Sequence, residues 1–186
     1  SALTGYQGMI MSGATRELTP DGQIDPMVTD VPGLISLNNP GCVPLGTAPR
    51  TSQFRLVGAS RLEVSRYGAI PNPDQMAALF VQSNPDDSLE WDGDLDTYMK
   101  LMAYLKDYAG FRSCGAIIWN GGGVTEKEAR LFAARSWPII IINGSGRAAD
   151  QLATDSEFTS LPNVHIVDKD ASLLRQKMIG LGFIQT

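Results

Sequence analysis

The sequence predicts an α/β protein with a Rossmann-like, three-layer fold around a mainly parallel sheet. Three apolar stretches, at residues 116–119, 138–142 and 164–167, have the composition of buried parallel strands. Helical patterns separate these stretches, and a glycine-rich loop follows each of the first two. Strand, glycine loop and helix occur twice before the third strand, which makes two consecutive βαβ units.

Four helices are predicted in the second half of the chain. The first covers residues 94–108, with Asp94 as its N-cap, because apolar side chains recur there at helical spacing. The second covers residues 124–136, where Thr125 and Glu128 have capping-box spacing. The two shorter helices are predicted to end near Ala153 and to cover residues 171–179.

The first 85 residues are atypical. They are rich in Gly, Pro, Asn and Ser, and they predict short strands and turns rather than strong amphipathic helices. We still assign residues 1–186 to a single domain, because a chain of this length suits one core. The predicted strands include residues 8–11, 54–57 and 77–81, with turns at residues 39–41 and 71–73.

Composition argues against several classes of function. A net charge of −5 without a basic block argues against a nucleic-acid-binding surface. The longest apolar run, residues 138–142, is too short to span a bilayer, and residues 1–8 lack a secretory pattern. We therefore expect a cytoplasmic protein without direct membrane contact. Cys42 and Cys114 are expected to be reduced thiols, and with His165 as the single histidine no metal or other cofactor is predicted.

Two glycine-rich loops, residues 120–125 and 143–147, carry the functional prediction. Loops that leave the carboxyl ends of parallel strands lie on one edge of the sheet, where ligands bind. Each loop leads into a helix N-terminus, whose unpaired N–H groups and positive dipole end favour an anion. Arg147 adds a guanidinium suited to phosphate or carboxylate. A purely structural turn at residues 121–123 remains an open alternative, as does a solvated surface position for Arg147 or a salt bridge from Arg147 to Asp150.

The loops and their flanking strands resemble a known family. Residues 117–128, IIWNGGGVTEKE, and residues 137–150, WPIIIINGSGRAAD, are similar to the SLOG superfamily. More specifically, they resemble the branch found in the cytoplasmic N-terminal region of melastatin-type TRP channels and in prokaryotic relatives. In that branch one strand ends in a Gly-Gly loop and the next in Gly-Ser-Gly-Arg-x-x-Asp. The resemblance is good over residues 90–153, and it implies binding of a nucleotide derivative, either ADP-ribose-like or a cyclic signalling nucleotide.

Two segments that precede the glycine loops also resemble the family. Residues 90–94, EWDGD, are similar to an acidic-Trp-Gly segment that precedes a helix in the prokaryotic members. Trp91 in this segment is a candidate to stack on a base, with a place in the core as the alternative. Residues 9–15 resemble the family's first strand and Gly-Gly-Thr loop, with Ala14 in place of one glycine.

The superfamily's enzymatic branch, the Lonely Guy phosphoribohydrolases, suggests an alternative function. Its motif is Pro-Gly-Gly-x-Gly-Thr-x-x-Glu, and this chain departs from it at Asn120 and Val124. The resemblance implies that Glu128 would help to cleave an N-glycosidic bond, as a carboxylate that stabilises oxocarbenium-like charge. The simpler interpretation of Glu128 is a first-turn acid that complements the helix dipole.

We therefore expect a module that binds or senses a nucleotide-derived small molecule, as a homo-oligomer or as part of a larger protein. A nucleotide N-glycosidic hydrolase is the alternative, with Glu128 as its catalytic candidate. A structural or oligomerisation domain that has lost its ligand is the third interpretation. The candidate ligand-binding residues are Asn120, Gly121, Gly122, Gly123, Thr125, Gly144, Ser145, Gly146, Arg147 and Trp91.

Overall fold

The computed structural model describes residues 2–18, 24–25, 28–50, 56–57, 61–62, 69–82 and 90–185. The chain divides into two compact units, one formed by Ser1–Tyr6 with Met99–Thr186 and the other by Gln7–Tyr98. Each unit has its own three-stranded parallel sheet. The predicted α/β fold class, with helices and mainly parallel sheets, is confirmed. The assignment of the whole chain to a single domain stays a prediction.

Among the described residues, most strands lie in the first half of the chain and most helices in the second. The strands are β1 (Gly8–Gly13), β2 (Thr15–Leu18), β3 (Ile24–Asp25), β4 (Cys42–Pro49), β5 (Leu56–Val57), β6 (Arg61–Leu62), β7 (Ala69–Pro71), β8 (Ala77–Val81), β9 (Ala116–Ile118), β10 (Ile139–Asn143) and β11 (Val164–Asp168). The helices are α1 (Val31–Ser36), α2 (Leu95–Tyr108), α3 (Gly123–Ala134), α4 (Arg147–Thr154), α5 (Ser156–Thr159) and α6 (Ala171–Gly180).

The C-terminal unit contains the two βαβ repeats that the sequence predicts. Its sheet has the order β11-β10-β9, and both neighbouring pairs are parallel. All three predicted strands are present, and the four predicted helices α2, α3, α4 and α6 begin and end close to their expected residues. The short helix α5 was not predicted, because it spans only four residues.

Strand β10 forms the centre of this unit because both of its faces are apolar. Its four isoleucines, residues 139–142, are at most 1% exposed. Ile140 and Ile142 pack with Leu174 and Met178 of α6 in one buried cluster. The intervening isoleucines point to the opposite face of the strand, and α3 and α4 also pack against β10. The sheet is therefore the middle of three layers.

The N-terminal unit also has a parallel sheet, in the order β1-β4-β8, which includes two of the predicted short strands. Helix α1 lies between β1 and β4 in the chain and was not predicted, because Pro32 and Gly33 weaken a helical pattern only six residues long. The predicted strand at residues 54–57 is described only at Leu56–Val57, where β5 lies, and its first two residues are outside the described part.

Within residues 9–15 a strand is present as the resemblance implies, but the glycine loop that it implies after this strand is not present. Strand β1 continues to Gly13, and β2 begins at Thr15 and pairs antiparallel with β7. The chain therefore turns into another strand at this point, not into a helix. With Gly13 inside a strand and Thr15 at the start of the next, the segment lacks the helix N-terminus that an anion-binding loop would need.

Helix α2 begins where the sequence places it. The Asp94 carbonyl accepts the first helical hydrogen bond, from the Tyr98 N–H at 2.8 Å. The Asp94 carboxyl is buried, which raises its pKa, and a hydrogen bond from Thr47 partly opposes that shift. Within the described segments, no helix combines the length and the apolar character that crossing a membrane requires.

Replacement of Ile140 by alanine tests whether β10 forms the core. The variant should lose about 2–5 kcal/mol of unfolding free energy, because it leaves a cavity between the sheet and α6. Ile117→Ala is the matched control, since Ile117 is the register partner of Ile140 on β9 but is 38% exposed. It should lose roughly 1 kcal/mol or less. Urea unfolding followed by circular dichroism measures both, and equal losses would contradict the proposed core.

Candidate functional site

Two glycine loops lie side by side at the carboxyl edge of the C-terminal unit's sheet. Loop 1 (residues 119–122) joins β9 to α3, and loop 2 (residues 144–146) joins β10 to α4. Because β9 and β10 are parallel neighbours, the two loops leave the sheet at the same edge. The juxtaposition that the sequence predicts is therefore present in the structure.

Hydrogen bonds connect loop 1 directly to loop 2 and α4. The Ser145 hydroxyl accepts from the Asn120 N–H at 2.9 Å and donates to the Ile142 carbonyl at 2.6 Å. In the other direction, the Ala149 N–H donates to the Asn120 carbonyl at 3.0 Å. The Ala148 N–H points at the Gly121 carbonyl, at 3.5 Å. Loop 2 and the start of α4 therefore hold the backbone of loop 1.

Loop 1 has an unusual backbone that its residue types permit. Asn120 and Gly121 have φ angles of 55° and 85°, in the left-handed region that asparagine and glycine tolerate best. Gly121 is also constrained by packing, because a Cβ there would lie 2.4–2.7 Å from the side chain of Thr125. The Thr125 hydroxyl accepts a hydrogen bond from the Gly122 N–H at 3.3 Å. Thr125 therefore closes the loop onto the first turn of α3.

The prediction that Thr125 and Glu128 form a capping box at the start of α3 is wrong. Helix α3 begins at Gly123 with Gly122 as its N-cap, so Thr125 is the third residue of the helix and not its cap. Glu128 is then the sixth residue, half-buried and beyond the first turn. The first-turn acid is Glu126, whose carboxylate pairs with Arg130 at 2.9 Å. The simpler interpretation of Glu128, as a first-turn acid, is therefore wrong as well.

The two helix N-termini are not equivalent. The N–H groups of Gly123, Val124 and Thr125 meet no hydrogen-bond acceptor within the described part of the chain. Ala148 and Ala149, the second and third residues of α4, instead direct their N–H groups at loop 1. We expected both helices to offer donors to a ligand. Among the described residues, the N–H groups without an acceptor are mainly those of α3, because α4 directs two of its own at loop 1.

Arg147 lies across the two loops. It is exposed, and a Cβ on Gly122 would lie only 3.0 Å from its Nη2 atom, so the guanidinium packs over loop 1. The alternative of a salt bridge to Asp150 is wrong, since Arg147 makes no ion pair among the described residues. Asp150 instead accepts a hydrogen bond from the Gly144 N–H at 2.8 Å. Arg147 also has a φ angle of 45°, which is unfavourable for any residue with a side chain.

The remaining glycines of the motif have distinct roles. Gly144 and Gly146 have φ angles of 79° and 105°, so loop 2 needs glycine at both positions for its backbone alone. A Cβ on Gly146 would also approach the Asn120 Oδ1 atom at 3.3 Å. Gly123 is different, because a Cβ there would meet nothing within 4 Å. The space beside the first residue of α3 is therefore open.

Three further residues at the same sheet edge were not predicted from the sequence, and a fourth, Asn143, belongs to the predicted second loop. Trp119 directly follows β9, Asn143 and Asp168 end β10 and β11, and Lys169 follows β11. The Asn143 amide donates to Asp168 Oδ1 at 3.1 Å, and Lys169 Nζ lies 5.3 Å from the centroid of the Trp119 ring. Their position at strand ends was the signal that could have identified them. Trp91, the predicted stacking residue, is 40% exposed and lies in the unit Gln7–Tyr98, so its role stays a prediction.

Comparisons with known proteins leave the family resemblance a prediction. No protein-family model matches the chain, and no curated protein matches it significantly. Among the described residues, no group of three or more His, Cys, Asp or Glu side chains could hold a metal ion.

Gly121→Ala tests whether the backbone of loop 1 is as constrained as described. It should lose about 2 kcal/mol or more of unfolding free energy, because alanine must adopt a positive φ and also displace Thr125. Gly123→Ala is the matched control in the same loop-to-helix junction. It should be neutral or gain up to about 1 kcal/mol, because its Cβ meets open space. Similar denaturation midpoints for the two variants would contradict the loop geometry.

Proposed function

We propose that the chain binds the phosphate of a nucleotide-derived small molecule between the N-terminus of α3 and the guanidinium of Arg147. The observation that carries this proposal is the position of Arg147 over Gly122, beside the N–H groups of α3 that lack an acceptor among the described residues. A phosphate at this position would accept hydrogen bonds from both groups.

The chemistry of the site suits an anion. Helix α3 is 12 residues long, and its unpaired N–H groups and positive dipole end favour negative charge. Gly122 and Gly123 carry no side chains that would keep a phosphate from the backbone. Arg147 supplies paired N–H donors in the fork geometry that matches phosphate oxygens. The backbone and the side chain would therefore act on the same group.

The unfavourable features of Arg147 also support the proposal. A cation beside helix N-termini opposes the helix dipoles, and a positive φ costs roughly 1–2 kcal/mol for a residue other than glycine. No carboxylate in the described part of the chain pairs with this guanidinium to offset these costs. Local strain of this kind tends to be kept where function requires it. An anion held between Arg147 and α3 would relieve the electrostatic part.

The class of ligand follows from the resemblance to the SLOG superfamily. That resemblance favours an ADP-ribose-like molecule or a cyclic signalling nucleotide, and a role in binding or sensing. One observation favours binding over N-glycosidic hydrolysis. Asn120 replaces the proline of the hydrolase motif and has a φ angle of 55°, whereas proline is locked near −65°. Proline could not adopt the backbone conformation of Asn120, so loop 1 differs here from the loop of the hydrolase motif.

Variants at Arg147 separate its role in binding from its effect on stability. Both Arg147→Ala and Arg147→Gly should weaken binding of ADP-ribose about tenfold to a hundredfold, the scale of a hydrogen bond to a charged group. The glycine variant should be more stable than the alanine variant by about 1 kcal/mol, because only glycine tolerates the positive φ. Isothermal titration calorimetry and thermal unfolding measure the two effects.

Arg112→Ala is the matched control for charge, because Arg112 is exposed and lies outside both loops. It should leave the affinity for ADP-ribose within about twofold of the parent chain, as expected for a screened surface charge. Unchanged affinity in both Arg147 variants would contradict the proposed phosphate site. So would a parent chain that binds neither ADP-ribose nor pyrophosphate.

A further inference from the structure

A carboxylate beside loop 2 takes no part in the phosphate site. Asn143 and Asp168 are register partners at the ends of β10 and β11, and Gly144 of loop 2 directly follows Asn143. The Asn143 amide holds Asp168 Oδ1 at 3.1 Å. The Asp168 side chain is exposed, and its Oδ2 atom meets no donor among the described residues. Asp168 therefore offers a positioned acceptor to a ligand that carries hydroxyl groups.

An exposed aromatic ring lies at the same edge. Trp119 and Lys169 follow β9 and β11, the two strands that flank β10. Because Lys169 Nζ lies 5.3 Å from the centroid of the Trp119 ring, the two side chains meet over the end of β10. Lys169 lies over the indole on one side, and the residue remains 39% exposed. The exposed part of the ring provides a surface on which a planar group can stack.

We infer that Asp168 and Trp119 form a ribonucleoside subsite across the end of β10. Asp168 accepts hydrogen bonds from the ribose hydroxyls, and Trp119 stacks on the base. This inference rests on the proposed phosphate site and narrows its ligand to a ribonucleotide with a free 2′-hydroxyl. An acid at the end of the strand that follows a glycine loop and helix is well placed to bind ribose.

The spacing and the charges fit such a ligand. Strands β9 and β11 are two inter-strand spacings apart, about 10 Å, so Asp168 lies well away from the N-terminus of α3. A bare phosphate cannot contact both groups, whereas a nucleotide that lies across β10 can. The Asp168 carboxylate repels phosphate, which keeps the phosphate of the ligand on the side of Arg147. The same repulsion disfavours a ligand with a phosphate on its 2′-hydroxyl.

Calorimetric titration of the full chain with ADP, 2′-deoxy-ADP and pyrophosphate tests the inference. The parent chain should bind ADP about tenfold to a hundredfold more tightly than 2′-deoxy-ADP, as expected for a hydrogen bond to a carboxylate. Asp168→Asn should bring the two affinities within about threefold, because a neutral amide is the weaker acceptor. Its affinity for pyrophosphate should stay within about threefold of that of the parent, because the exposed Asp168 lies about 10 Å from the N-terminus of α3 and solvent ions screen its charge at that distance.

Trp119 is tested with the same three probes. Trp119→Leu should weaken ADP binding about tenfold without changing pyrophosphate binding, whereas Trp119→Phe should keep most of the affinity because phenylalanine also stacks. Asp107→Asn is the charge control, since it removes an exposed carboxylate on α2 that lies outside the subsite. It should retain the preference of the parent chain for ADP.

The outcomes separate this inference from the proposed function. If the chain binds pyrophosphate but does not distinguish ADP from 2′-deoxy-ADP, the ribonucleoside subsite is wrong and the phosphate site stands. The same conclusion follows if Asp168→Asn keeps the full preference for ADP, or if Trp119→Leu binds ADP as the parent does. If neither ADP nor pyrophosphate binds, both the subsite and the proposed function are wrong.

Discussion

The site depends on the hydrogen bonds by which loop 2 and α4 hold loop 1. Ser145 and the N–H groups of Ala148 and Ala149 together engage the backbone of Asn120 and Gly121 on one side. This arrangement requires two successive residues with positive φ, and Asn-Gly is a sequence that adopts it at low cost. The carbonyl groups of loop 1 accept hydrogen bonds from α4. The first N–H groups of α3, the helix that follows loop 1, have no acceptor among the described residues.

The arrangement gives the two glycine loops different tasks. Loop 2 follows β10, the most buried strand of its unit, and therefore provides a rigid support. Loop 1 is held against that support and presents the helix end with donors still available. Arg147 belongs to the supporting side in sequence, but its guanidinium lies over loop 1. We expect this coupling to keep the donors at fixed positions in the free protein, which would lower the entropy lost in the proposed binding.

Apart from the four-residue helix α5, the sequence was sufficient to predict the strands and helices of the C-terminal unit. A run such as Ile139–Asn143 has one stable environment, at the centre of a parallel sheet. The sequence did not predict which residue caps α3, since Thr125 and Glu128 have capping-box spacing whether or not they cap the helix. It also left out Asp168 and Trp119, the residues of the proposed subsite. Both lie at or next to the ends of predicted strands, but their contacts with Asn143 and Lys169 are seen only in the structure. The N-terminal unit was harder to predict, as its elements are short and interrupted by proline and glycine.

The most direct test of the account is a titration with pyrophosphate followed by backbone amide chemical shifts. We expect the amide resonances of Gly123, Val124 and Thr125 to shift on binding, because these donors have no acceptor among the described residues. The amides of Ala148 and Ala149 should change little, since they remain directed at the carbonyl groups of loop 1. Large shifts at Ala148 and Ala149, with none at the start of α3, would contradict the division of tasks between the two loops.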